Sequence, residues 1–103
     1  MKDLLKIIRV LSIALKQCKN PKLIPIFSKM YSFCTEAVKP FLEYIKSECA
    51  AANEMITFIE LYYFKSCNAG QLAKETTSLY MSADTYRSYV SRAAKKFDKK
   101  TKE

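Results

Sequence analysis

Apolar residues recur at three- and four-residue steps along most of the chain, and no strand-like alternation persists for more than a few positions. From Lys2 to Lys19, Leu4, Ile7, Ile8, Leu11, Ala14, Leu15 and Cys18 form one stripe, while Lys2, Lys6, Arg9 and Lys16 fall on the other face. This spacing predicts an amphipathic helix with a basic outside. Asn20-Pro21 ends it, because the residue before proline is pushed out of the α region, and Pro25 predicts a second helix beginning near Ile24. Ile26, Phe27, Met30, Phe33, Cys34 and Ala37 make the stripe of that helix. Lys39-Pro40 repeats the punctuation and predicts a third helix with Pro40 at its first position, carrying Phe41, Leu42, Ile45, Cys49 and Ala52. Asn53 is the expected cap of a fourth, Glu54 to Lys65, with Met55, Ile56, Ile59, Leu61, Tyr62 and Phe64 as its apolar positions.

Further on, Asn68-Ala69-Gly70-Gln71 has the form of a capping box, in which the Asn68 side chain accepts from the backbone three residues on and Gln71 reaches back. Leu72 and Ala73 then face inward on a short helix. After Leu79-Tyr80-Met81, Ser82 is a second cap, with Asp84 in the first turn where the helix dipole favours a carboxylate. The helix it opens, 83–97, has Tyr86, Val90, Ala93 and Phe97 as its inward stripe and presents Ala83, Asp84, Arg87, Ser88, Ser91, Arg92 and Lys95 outward. Two capped helices joined by a short apolar turn, the second with a polar and basic outer face, make a helix-turn-helix.

Composition narrows the class. With a single glycine and three prolines, the chain lacks the turns of an all-β sandwich. Half of its 103 residues are apolar and 13% aromatic, enough for one core and not for two. The expected fold is all-α: one domain over 1–103, a small helical domain with three N-terminal helices followed by a helix-turn-helix. Residues 1–53 would be a scaffold or dimerisation part, 54–97 the helix-turn-helix, and 98–103 a basic tail.

The second half resembles the helix-turn-helix of sigma factor region 4 and of related small phage and bacterial regulators. Glu60-Leu61-Tyr62-Tyr63-Phe64 stands where that family has a Glu-Leu-Arg-Tyr-Phe type ending, and Leu72-Ala73 where it has Ile-Ala. Met81-Ser82-Ala83-Asp84-Thr85-Tyr86-Arg87 matches its Ile-Ser-x-x-Thr-Val-Lys/Arg, and Arg92-Ala93-Ala94-Lys95-Lys96-Phe97 its Arg-Ala-x-x-Lys-Leu. The likeness spans about residues 54–97. The chain departs from the pattern by three extra residues between Leu72-Ala73 and Met81-Ser82, and by Tyr80 in place of the turn glycine.

The resemblance implies a sequence-specific protein that binds double-stranded DNA, a small transcriptional regulator laying its 83–97 helix in the major groove. Arg87 is the expected reader of a guanine edge, because its guanidinium donates two hydrogen bonds to O6 and N7. Ser88, Ser91 and Asp84 would read or exclude neighbouring bases. Ser82 and Thr85, near the helix start, and Arg92, Lys95, Lys96, Lys99 and Lys100, further along, would contact phosphates. Ser82 and Asp84 also have the plainer roles of helix cap and dipole partner.

Charge supports a polyanionic partner without locating it fully. Lys and Arg number 18 against 10 Asp and Glu, a formal charge of +8. Split after residue 55, each half holds nine basic and five acidic residues, yet from Arg87 to Lys102 Asp98 alone opposes seven cations. The basic stripe of the first helix is either a second DNA-facing surface or a solvated face. With no histidine, no Gly-rich loop and no cluster of acid, base and nucleophile, the sequence predicts no enzyme, no cofactor and no metal site. Cys18, Cys34, Cys49 and Cys67 fall in apolar helical patterns without a CxxC pair, so they are expected as reduced, mostly buried thiols in a cytoplasmic protein. Lys6 and Arg9 interrupt the first apolar segment, so no membrane partner is expected. A homodimer through the N-terminal helices is a further expectation. The competing function is a helical protein–protein adaptor or chaperone without DNA binding, contacting RNA polymerase or a secretion component.

Overall fold

A computed structural model describes residues 1–75 and 81–102, all of whose regular structure is helical. The elements are α1 (Lys2–Gln17), α2 (Ile24–Glu48), α3 (Ala52–Ile59) running directly into a π-helical turn (Glu60–Phe64), α4 (Ala69–Glu75) and α5 (Ala83–Lys102). Their shared core is built from Leu5 and Ile8 of α1, Val38, Phe41 and Ile45 of α2, Phe58 and Ile59 of α3, and Tyr86 and Val90 of α5, all buried. An aromatic column crosses its centre. Phe58 stacks on Tyr86 at 5.3 Å between ring centroids and on Tyr62 at 5.1 Å, so one ring ties the middle of α3 to both α5 and the π turn.

Both anticipated caps on the C-terminal side are formed. Asn68 Oδ1 accepts from the Gln71 N–H and Gln71 Oε1 from the Asn68 N–H, each at 2.9 Å, a reciprocal box at the start of α4. Ser82 Oγ accepts from the Thr85 N–H at 3.3 Å and opens α5 at Ala83. Tyr86, Val90 and Ala93 are buried and Phe97 packs against the core, as their four-three-four spacing required. The Leu79-Tyr80 part of the intervening turn and the position of the three extra residues lie outside the described residues.

Several expectations change. Lys39-Pro40 does not end a helix: α2 runs through Pro40 for 25 residues, so two helices rather than three precede α3. Pro40 is exposed, where solvent can take the hydrogen bond its ring removes, while Val38, Phe41 and Ile45 on either side continue one buried stripe. Asn53 is not a cap; the helix starts at Ala52, and the Asn53 carbonyl accepts from Thr57 Oγ1 inside it. In α1 the buried residues are Leu5, Ile8, Leu11 and Ser12, with Ile7 turned outward. In α2, Phe27, Tyr31, Cys34 and Val38 turn toward the protein, whereas Ile26, Met30, Phe33 and Ala37, expected inside, are exposed. The basic tail is not separate from the helix before it: α5 continues to Lys102, since no breaker interrupts 98–102. Of the four cysteines only Cys67 is buried, and Cys18, Cys34 and Cys49 are partly exposed thiols. Among the described residues no helix is long and apolar enough to cross a membrane.

Candidate nucleic-acid interface

The last turn of a helix leaves carbonyls without intrahelical partners, and the end of the π turn is where the two halves of the chain meet. Lys65 N–H bonds to Glu60 O, Cys67 N–H reaches back to Leu61 O, and Ser66 between them adopts φ 55°, the left-handed conformation of a helix-closing residue. Four further carbonyls here are taken by side chains of α1 and α2. Arg9 donates to Tyr62 O at 2.6 Å and Cys67 O at 3.2 Å, Tyr31 Oη to Phe64 O at 2.8 Å, and Lys16 Nζ to Lys65 O. Cations at this end also complement the helix dipole. The Arg9 guanidinium lies 4.0 Å from the centre of the Tyr62 ring, which fixes that ring from above while Phe58 stacks on it. Ser12, half of a hydroxyl pair with Ser66 at 3.2 Å, completes the seam and sets the rotation of α1.

A cleft of about 910 Å³ opens beside this seam. Lys2, Lys6, Arg9 and Val10 of α1 form one wall, Asp84, Arg87, Ser88, Ser91, Arg92 and Lys95 of α5 form the other, and Tyr62 and Tyr63 make the floor. The helices run antiparallel: the Met1 ammonium bonds both carboxylate oxygens of Asp98 at 3.2 and 3.0 Å, while Arg9 and Arg87 meet over Tyr62 at the opposite end. Six lining residues are cations and one, Asp84, is an anion. That anion is engaged by Arg87, which also donates to Tyr62 Oη at 3.4 Å; the hydrogen bond to Asp84 raises the Arg87 pKa above its ordinary value, so the guanidinium is charged at any relevant pH. Burial pushes the Tyr63 phenol up, with the neighbouring Tyr62 adding to the shift, so the Tyr63 hydroxyl keeps its proton at neutral pH.

The structure thus gathers six of the residues picked out from the sequence, Asp84, Arg87, Ser88, Ser91, Arg92 and Lys95, into one wall. Ser82 and Thr85 stand just outside it, their hydroxyls 2.9 Å apart at the start of α5. Lys96, Lys99 and Lys100 lie on α5 away from the cleft; Lys100 Nζ is 3.8 Å from Glu48 and 5.6 Å from the Tyr44 ring, on the α2 side. The residues the sequence left unassigned are Lys2, Lys6 and Arg9, whose steps of four and three had marked a basic face without saying what it faced. Tyr62 and Tyr63 gave a signal only as aromatics in a core stripe.

No protein-family model, curated protein or solved structure matches the chain. The likeness to sigma region 4 therefore stands on the residues quoted for it, 54–97.

Proposed function

We propose that this protein binds double-stranded DNA through the cleft between α1 and α5, as a small sequence-specific regulator in the cytoplasm. The observation that carries the reading is the convergence of cations from helices at opposite ends of the chain on one concave surface, with a single carboxylate among the described lining residues. Excess positive charge on a solvated surface is spread; charge collected against mutual repulsion favours a polyanion.

In this reading the start of α5 enters the major groove and the cleft receives one phosphate backbone. Arg87 reads a guanine edge. Its pairing with Asp84 is exposed on both sides, and such pairs contribute no more than about 1 kcal/mol, whereas a bidentate arginine–guanine contact discriminates by about 1–3 kcal/mol. Exchange of Asp84 for a base therefore costs little, and Asp84 serves meanwhile to hold the fork extended from α5. Once released, Asp84 can accept from a cytosine amino group. Ser88 and Ser91, one and two turns along the same wall, contact adjacent bases. Lys2 and Lys6 on one side and Arg92 and Lys95 on the other hold the phosphates, with Ser82 and Thr85 at the helix start and Lys96 and Lys99 beyond the cleft extending the track; Lys100, turned to Glu48 on the α2 side, takes no part.

Fluorescence anisotropy on short duplexes tests this. Binding should weaken steeply with salt, each phosphate contact contributing about 0.9 to the slope of log affinity against log salt. Arg87→Ala should remove preference among sequences, while Lys2→Ala with Lys6→Ala should lower the slope by about 2 and leave preference intact. Absence of binding at low salt, or preference unchanged in Arg87→Ala, overturns the reading. The adaptor function draws on a different surface, the exposed apolar residues of α2, and predicts no duplex binding at any salt.

A further inference from the structure

The N-terminal half of α2 carries two apolar faces. Phe27, Tyr31, Cys34 and Val38 turn toward the protein, and Ile26, Met30, Phe33 and Ala37 form a second, largely solvent-facing stripe. The outer residues follow steps of four, three and four and fall within about 60° of one another at 100° per residue, along about 17 Å of helix. Ile26 is 53%, Met30 48% and Phe33 76% exposed. Phe33 lies about 130° around the helix from the centre of the inner stripe, so both faces cannot turn toward the protein at once. A seam spaced by alternating fours and threes is the spacing by which one helix packs on another.

We infer that this stripe is a homodimer interface in which α2 pairs antiparallel with α2 of a second copy. Charge selects both the occupant and its direction. Lys29 and Glu36 are exposed on the flank of the stripe away from the protein's own core, Lys29 about one turn from Ile26 and Glu36 next to Ala37. In an antiparallel two-fold pairing, Met30 meets Phe33 of the partner subunit and Ile26 meets Ala37 of the partner subunit. Lys29 then lies beside Glu36 of the partner subunit, and the symmetry repeats this pair at the other end. A parallel pairing would set Lys29 against Cys34 of the partner subunit and Glu36 against Phe41 of the partner subunit, leaving both charges unmatched. The surface is therefore complementary to itself in one direction only. Within the protomer Glu36 already holds Lys39 at 2.8 Å, an exposed pair that leaves one carboxylate oxygen for the partner's lysine. The inference concerns a surface on a different helix from the cleft and does not rest on DNA binding.

Four apolar layers bury less than the roughly 800 Å² per partner of a standard interface, so dimerisation should show a dissociation constant in the micromolar range. Sedimentation velocity of the full chain, from low to high micromolar concentration, reads it directly. Phe33→Glu should weaken the dimer at least about tenfold, as loss of a central aromatic anchor does; the residue is exposed in the protomer, so the far-UV circular dichroism should not change. Lys29→Glu and Glu36→Lys should each weaken it about threefold, and the two together should restore the wild-type value. A monomer at every concentration, or a Phe33→Glu protein that dimerises as the wild type does, overturns the interface. Failure of the double exchange to recover what each single exchange loses overturns the antiparallel pairing.

Discussion

The cations of α1 and those of α5 line the same cleft, but they are engaged differently. Arg9 donates to two backbone carbonyls and lies over the Tyr62 ring, and Lys16, further along the same face, holds Lys65 O. Arg92 and Lys95 stand exposed on α5, as Lys2 and Lys6 do at the start of α1. A basic stripe on an amphipathic helix is thus two populations. One closes the end of a neighbouring helix and belongs to the stability of the protein; the other is presented to solvent, and in the proposed function to phosphates. What separates them is whether an orphan carbonyl lies within reach, which net charge does not report.

The sharpest way to break the comparison is to remove the support both walls share. Phe58→Ala deletes the ring between Tyr86 and Tyr62 and should lower stability by about 3–5 kcal/mol, measured by urea unfolding. Next comes the contrast within α1. Arg9→Ala should cost about 2 kcal/mol, since it uncovers two carbonyls bonded to a charged donor, whereas Lys6→Ala should change stability by less than about 0.5 kcal/mol and, in the proposed function, lower both the affinity for DNA and its salt dependence. Equal thermal shifts for the two variants would erase the distinction between capping and presented cations. The smallest effect is at high pH. Burial raises the phenols of Tyr31 and Tyr63 above 10.0, so the unfolded chain ionises first: their contribution is constant below about pH 10 and is lost as pH rises toward the folded values. Stability followed against pH should be flat in this respect through neutrality and fall on the alkaline side, and less so in Tyr63→Phe.

Which parts of this were legible in the sequence follows from the range of the interactions. Asn68, Gln71 and Ser82 cap helices through contacts three residues away, so the pattern disclosed them. The inward stripe of α5 was equally plain, because Tyr86, Val90 and Ala93 are set among polar residues that leave one possible rotation. In α1, apolar positions cover so wide an arc, Leu4, Leu5, Ile7, Ile8, Val10 and Leu11, that periodicity alone does not fix its centre. The rotation is decided by Arg9 and Ser12, whose partners lie 53 to 58 residues further on. The same ambiguity merged the two stripes of α2 into one, since Ile26 and Phe27, or Phe33 and Cys34, are adjacent and equally apolar. Pro40 misled for the opposite reason: a local rule was outweighed by the continuous burial of Val38, Phe41 and Ile45. At the cleft, the α5 wall was visible as a face and the α1 wall as charge without a destination, because only the packed structure brings the two together.

The seam at Ser66 bears on whether the C-terminal half can be carried elsewhere. Arg9, Lys16 and Tyr31 complete the end of a helix that begins at Ala52, so a fragment beginning at α3 would start life with several carbonyls bare and with Tyr62 unsupported on one side. The α3–α5 portion is therefore expected to be less stable alone than within the whole chain. Sequence change should respect that dependence: substitutions at Arg9 and at the Glu60–Phe64 turn are expected to travel together, although more than fifty positions separate them in the chain.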